Sequence, residues 1–170
     1  LNENITVNWT VFETEELVKE CIEIGLETNE LKFTSSFESS LLQDLEFDVL
    51  YANYSLAYTN DPYLYIQKLL ELNFKKFYIT NTALNEINDR DIVGVQKSDL
   101  ATNGVGRNIP TDLNLNNKTI FYPFTVMSEK KFENLVNRYA TIILKIKEEQ
   151  TSYKTDVGSF SLFGYLLAKI

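Results

Sequence analysis

Histidine is absent from the sequence, and cysteine, methionine and tryptophan each occur once in 170 residues. Without histidine, the usual zinc sites and any Ser-His or Cys-His catalytic pair are excluded. The single thiol, Cys21, excludes an intrachain disulfide. Because Cys21 falls in the apolar stripe of a predicted helix, we interpret it as core filling rather than as a reactive group. The sequence therefore predicts no metal site.

Basic residues are also few, since 16 Lys and Arg stand against 24 Asp and Glu, a net charge of -8. Nucleic-acid binding normally needs a basic face, so no nucleic-acid partner is expected. No apolar run approaches the roughly 20 residues that span a membrane, and the N-terminus has no signal-peptide pattern. With 44% hydrophobic residues, the chain is long enough for one buried core. These features predict a single cytoplasmic domain.

The stretch from Phe47 to Asn81 predicts a strand, a loop, a helix and a second strand. Its opening run, FDVLYAN, is nearly all apolar, which is typical of a parallel strand buried on both faces. Asn60 or Asp61 caps the helix, Pro62 suits its first position, and Asn73 is placed to end it in a left-handed turn. We interpret the stretch as one βαβ unit, with candidate site residues at the carboxyl ends of its strands.

The residues before this unit predict two further strands. Ile5 to Glu13 is rich in β-branched and aromatic residues and ends on a carboxylate. Thr14 caps the next helix, which Gly25 ends. Leu31 to Phe37 alternates as a short strand, and Ser40 to Leu45 is a brief amphipathic segment. Strands alternating with helices indicate an α/β fold with right-handed crossovers.

The residues after it predict a different organisation. Residues 81–118 hold three of the six glycines and no strong periodicity, so we interpret them as a long loop or lid. TIFYPFTVM predicts an extended segment, and Ser128 caps a short helix. Ala140 to Ile146 and Ser159 to Ala168 predict strands joined without a helix, which pair antiparallel. We expect a mostly parallel sheet that ends in an antiparallel hairpin.

Five segments taken together resemble the C-terminal two-thirds of a class I S-adenosylmethionine (SAM)-dependent methyltransferase. They are NWTVFE, DVLYANYSLAYTNDPYLYIQKLL, FYITNTAL, IVGVQ and FYPFTV. Within this family, the segments resemble a subgroup of bacterial methyltransferases whose genes recur near surface-polysaccharide genes. The resemblance covers Val7 to Tyr139 and the closing hairpin. It implies a Rossmann-like sheet, SAM as cofactor, and methyl transfer to a hydroxyl of a sugar or glycan precursor.

One part of the family pattern is missing. The family's first strand and its glycine-rich turn have no counterpart in the sequence, and in the family that strand lies between the strands that end here at Glu13 and Asn53. A gap of one strand leaves backbone groups unpaired on both sides. Three explanations stay open: residues upstream of Leu1, a strand from another chain such as a homodimer partner, or closure of the two halves. We favour the first, so that 1–170 is the C-terminal two-thirds of a longer domain.

The resemblance also implies roles for particular residues. Glu13 accepts hydrogen bonds from both ribose hydroxyls of the cofactor, as a carboxylate can. From the residues alone, Glu13 is equally well explained as a solvated acid at the end of a strand, and Thr34 and Ser35 as turn-forming residues. The implied cofactor contacts are Glu13, Thr34, Ser35, Asn53, Tyr54 and Ser55. The implied contacts of the acceptor substrate are Tyr58, Asn81, Arg90, Gln96 and Tyr122.

The catalytic base is unknown, because Asp61, Asp89 and Asp91 are candidates by position only. The rival hypothesis is a non-catalytic α/β module, a remnant or assembly partner that kept the sheet and lost the cofactor turn. Residues upstream of Leu1 that encode a strand and a Gly-x-Gly turn favour the enzyme.

Overall fold

The computed structural model describes residues 6–99, 119–148, 152–156 and 158–170. A 3₁₀ turn, Leu56–Tyr58, follows β3. The strands and helices in chain order are β1 (Trp9–Phe12), α1 (Glu15–Glu23), β2 (Leu31–Thr34), α2 (Ser40–Gln43), β3 (Phe47–Asn53), α3 (Pro62–Glu71), β4 (Phe74–Asn85), β5 (Ile92–Asp99), β6 (Thr119–Ser128), α4 (Glu129–Val136), β7 (Ala140–Lys147), β8 (Tyr153–Thr155) and β9 (Gly158–Lys169).

These strands form two sheets. One is the parallel pair β1–β2. The other has seven strands in the order β5-β6-β4-β9-β7, with β3 beside β4 and β8 beside β9. Strand β4 is the centre of this sheet: β3 lies along its first half, β6 meets its last residues, and β9 lies along its other edge. The predicted α/β class and the closing antiparallel hairpin, β7–β9, are confirmed.

Antiparallel pairing has a larger share than the sequence indicated. Within the described ranges, β1–β2, β3–β4 and β4–β6 are parallel, whereas β4–β9, β5–β6, β7–β9 and β8–β9 are antiparallel. One part of the difference arises from 81–118, because part of that predicted loop is strand; the other part is that β9 pairs antiparallel with β4 and β8 as well as with β7. Strand β4 continues to Asn85, and β5 occupies Ile92–Asp99; residues 100–118 lie outside the described residues.

The βαβ unit forms, and β3 and the start of α3 lie where they were predicted. The Asp61 side chain caps α3 by accepting a hydrogen bond from Leu64 N at 3.0 Å, and Pro62 occupies the first turn. The helix ends at Glu71, and its C-cap Leu72 is extended. Asn73 is not left-handed, so the expected left-handed turn there is wrong. Extended backbone at Leu72 lets the chain turn directly into β4.

The core lies between one face of the large sheet and helices α3 and α4. Ile66 and Leu70 of α3, and Phe132 and Val136 of α4, are fully buried. In β3, Ala52 faces this core. Within the described ranges, no helix is both long and apolar enough to cross a membrane.

Two burial predictions, for β3 and for the apolar stripe of α1, are wrong. Strand β3 is not buried on both faces, since Val49 and Tyr51 are 59% and 56% exposed. In α1, Val18 is buried but Leu17 and Ile22 are about half exposed, and Cys21 is half-buried. Strand β3 borders the cleft between the two sheets. Apolar residues that a parallel sheet normally covers are therefore left open among the described residues.

Candidate functional site

A cleft of about 310 Å³ separates the two sheets, and it defines the first part of the site. One wall is the run from Asn8 to Glu13, which includes β1; the other is β3. Within the described ranges, β1 pairs with β2 alone and β3 with β4 alone. Among the described residues, no strand therefore pairs with the edges of β1 and β3 that face the cleft. Leu69, Leu72 and Phe77 contribute to the apolar lining.

The carboxyl ends of β1 and β3 lie at the same end of this cleft. The ring of Phe12, in β1, lies 6.1 Å from the ring of Tyr65, in the first turns of α3. A crossover helix starts where its preceding strand ends. Glu13 follows Phe12 directly and lines the cleft. Burial raises the pKa of Tyr65, and the negative charge of Glu13 raises it further. The carboxyl ends of the two strands therefore share one end of the cleft.

Three of the implied cofactor residues meet at this end of the cleft. Glu13 follows β1, Asn53 closes β3 and Ser55 begins the next turn, and all three line the cleft. The Glu13 carboxylate accepts a weak hydrogen bond of 3.4 Å from the backbone N–H of Thr14. The backbone N–H of Glu13 donates to Thr34 O at 3.1 Å. Among the described lining residues Glu13 is the only charged one.

Asn53 is held by a network across the carboxyl ends of β3 and β4. Its Oδ1 accepts from Thr80 Oγ1 at 3.0 Å and from Asn81 Nδ2 at 2.8 Å. Tyr51 Oη lies 3.3 Å from Thr80 Oγ1. With Oδ1 fixed by two donors, the Asn53 amide nitrogen is oriented away from β4.

Glu148 belongs to the same network, and sequence reasoning missed it. Both of its carboxylate oxygens accept from the backbone N–H of Asn81, at 3.0 and 2.9 Å. Gly164 makes room for this contact, because a Cβ there would lie 2.6 Å from Glu148 Oε1. The contact fixes Asn81 in its left-handed conformation, at φ 53°, where the β4–β9 register shifts.

Tyr54 has the other left-handed backbone among the described non-glycine residues, at φ 56°. An aromatic residue rarely adopts this conformation, and such strain concentrates at functional sites. Its backbone N–H donates to Thr80 O at 3.3 Å, so it closes the ladder between β3 and β4. The turn directs Tyr54 away from the cleft and into a second cavity.

This second cavity, the aromatic chamber, has a volume of about 430 Å³. It lies beside the end of β3, against the inner face of β5 and β6. The Tyr58 hydroxyl donates to Gln96 Oε1 at 3.2 Å, and its ring lies edge-on to Tyr122 at 5.4 Å. Three implied acceptor residues are thus brought together. Burial raises the pKa of Tyr58, so its hydroxyl keeps its proton at neutral pH.

The remaining implied residues lie apart from these two cavities or have local partners. Thr34 forms a turn, in which Oγ1 donates to Ser36 O and accepts from Ser36 N at 3.3 Å. Ser35 is exposed and lines neither cavity. Arg90 lines a separate polar pocket with Lys154. Asn81, described above, connects Asn53 to Glu148.

The three candidate bases have structural partners. Asp61 caps α3, and Asp89 pairs with Lys130 at 2.6 Å. Asp91 accepts from Tyr63 Oη at 2.6 Å, from the Ser128 backbone N–H and from Lys131. Partial burial opposes its ionisation, but these donors outweigh that effect and lower the pKa of Asp91.

No protein-family model matches the sequence, and no curated protein is detectably similar to it in sequence. Solved structures do match. A SAM-dependent methyltransferase from Methanosarcina mazei aligns with 95% of this chain and 81% of its own, at TM-score 0.54 and 12% identity. The PH0226 protein of Pyrococcus horikoshii aligns over 98% and 73%, at TM-score 0.51 and 12% identity. The chain has the Rossmann-like fold of class I SAM-dependent methyltransferases.

Proposed function

We propose that this chain is the larger part of a SAM-dependent methyltransferase domain that binds its cofactor at the carboxyl ends of β1 and β3. The observation that carries the proposal is the convergence of Glu13, Asn53 and Ser55 on one end of a cleft in this fold. Ligands of parallel sheets gather at the carboxyl ends of strands where crossovers leave in different directions. Thr34 and Ser35 are proposed for the adenine end of the cofactor.

The residues present fit the charge of this cofactor. Glu13 offers two acceptor oxygens to the paired hydroxyls of a ribose, and charge-assisted bonds of this kind are strong. No Lys or Arg is among the described residues that line the cleft. The cleft thus suits SAM, whose sulfonium is cationic and carries the methyl group, and disfavours nucleotides with a polyphosphate.

A further β-strand between β1 and β3 is part of the proposal. Strands β1 and β3 support it, because both line the cleft and, within the described residues, each pairs with one neighbour only. The exposed side chains of Val49 and Tyr51, which line the cleft, support it as well. We propose that residues upstream of Leu1 supply this strand, and a second copy of the chain is the alternative source. The chain alone is then expected to bind cofactor weakly, because it lacks the family's first strand and glycine-rich turn, which form part of the cofactor site.

The proposed acceptor is a hydroxyl of a sugar or glycan precursor, bound by Tyr58, Gln96 and Tyr122 and, at the edges, by Asn81 and Arg90. The contact between Tyr58 and Gln96, beside the Asn53 network, supports this position. Methyl transfer by displacement needs the acceptor in line with the methyl group, so the acceptor must lie next to the end of β3. The cytoplasm stays the expected location, as the sequence indicated.

Competition between nucleotides tests the proposed cofactor. We expect S-adenosylhomocysteine (SAH) and SAM to displace each other in equilibrium dialysis with labelled SAM, at dissociation constants on the order of 1 mM for residues 1–170. ATP at equal concentration is expected to displace neither, because its phosphates would lie in a cleft whose charged group is Glu13. Binding of ATP in preference to SAM, or micromolar binding of SAM by this chain alone, would contradict the proposal as stated.

A further inference from the structure

The aromatic chamber is built largely from rings. Tyr58 packs against Phe124 at 5.4 Å, Phe124 against Phe160 at 5.5 Å, and Phe160 stacks on Tyr153 at 5.0 Å between ring centres. Tyr54 contributes a fifth ring. A volume of about 430 Å³ falls within the range of small-molecule sites. The chamber therefore offers flat apolar walls to a ligand of one or two rings.

A few polar groups stand among these rings. Because Gln96 Oε1 accepts from the Tyr58 hydroxyl, the amide nitrogen of Gln96 is left to donate into the chamber. The carboxylate of Asp156 is the single charged group among the described lining residues. An amide donor and a carboxylate acceptor beside aromatic faces suit a ring that carries several hydroxyl groups.

Gly94 sets the depth of the chamber. Its neighbours Val93 and Val95 are 69% and 71% exposed, while Ile92 is buried, so alternation along β5 turns position 94 inward. Gly94 pairs with Phe124 on β6. A Cβ built at Gly94 meets no atom within 4 Å, so a side chain there would occupy space that is otherwise open to a ligand.

We infer that the aromatic chamber is the acceptor subsite, and that the acceptor enters it as an uncharged pyranose ring rather than as a sugar phosphate or nucleotide. This inference rests on the proposed methyl transfer. The described lining contains no Lys or Arg to neutralise a phosphate, and Asp156 would repel one. Arg90 and Lys154, which would attract a phosphate, line the neighbouring polar pocket.

Saturation-transfer NMR tests the inference without cofactor. The probes are methyl pyranosides of gluco, galacto, manno and 6-deoxy configuration, with glucose 1-phosphate and phenol as comparisons. We expect at least one methyl pyranoside to bind, and Gly94→Leu to weaken that binding about tenfold by filling the chamber. Lys97→Leu adds similar bulk on the exposed face of the same strand and is expected to leave binding within about twofold.

A second variant keeps the inference testable if Gly94→Leu does not fold. Gln96→Ala removes the amide donor and is expected to weaken the same pyranoside about fivefold, while phenol is unaffected. Binding of phenol or glucose 1-phosphate without any pyranoside would overturn the inference, as would pyranoside binding that neither variant changes. Because no cofactor is present, these results are independent of SAH binding, so failure of the subsite and failure of the proposed methyl transfer are distinguishable.

Discussion

Replacement of Phe132 by alanine is expected to lower the free energy of unfolding by about 3–5 kcal/mol, the usual cost of truncating a fully buried aromatic ring. Phe132 is 0% exposed in α4, and its ring packs on Tyr165 of β9 at 5.1 Å. The Tyr165 hydroxyl donates to Glu133 Oε1 at 2.9 Å, so the ring beside the cavity is held in place and little collapse can reduce the cost.

Urea unfolding followed by circular dichroism measures this change. The matched control is Phe121→Ala, because Phe121 lies on β6 with 67% of its surface exposed and its loss is expected to cost less than about 0.5 kcal/mol. Equal losses for the two variants would mean that α4 does not pack on the sheet as described.

Replacement of Glu13 by alanine is expected to weaken SAH binding by about 30-fold or more. The proposed carboxylate accepts from two ribose hydroxyls, and hydrogen bonds to a charged group contribute about 1.5–3 kcal/mol each. Glu13→Gln keeps the shape and one acceptor oxygen, so an intermediate loss is expected. Binding is measured for each variant by dialysis with labelled SAH.

Glu15→Ala is the control for charge alone. Glu15 lies two residues further on, at the start of α1, and is exposed. Its replacement removes the same charge near the same strand end and is expected to leave SAH affinity within about twofold. If Glu15→Ala weakens binding as much as Glu13→Ala, the loss of negative charge near the site explains the effect, and the assigned ribose contact is wrong.

Local sequence signals predicted the central unit because each signal acts within a few residues. FDVLYAN coincides with β3, and Asp61 with Pro62 set the start of α3. Capping and propensity depend on neighbours along the chain, so a single sequence is sufficient for them.

Strand β5 was missed because its sequence carries a weak signal. Ile92, Val93 and Val95 are apolar, but Gly94 interrupts them and the side chains of Val93 and Val95 are exposed. Strand β5 is held by pairing with β6 over eight residues from Ile92 to Asp99. Pairing between distant segments has no local counterpart in the sequence.

The part of the site that escaped prediction depends on long-range contacts. Glu148 reaches Asn81 across 67 positions, and the space for it comes from Gly164 on a third strand. A glycine inside a strand is a general sign of a close approach, so Gly164 was a usable signal. It did not identify Glu148 as the group that approaches.

The most direct test of the central claim is a ¹H–¹⁵N NMR titration of the chain with SAH, because this method maps weak binding residue by residue. The account predicts shifts of the backbone amides at the carboxyl ends of β1 and β3, from Glu13 and from Asn53 to Ser55. It predicts no shift at Phe47 and Phe74, which begin β3 and β4 and therefore lie at the opposite, amino ends of these strands. No shift up to about 5 mM SAH, or shifts confined to that opposite edge, would contradict a cofactor site at these strand ends.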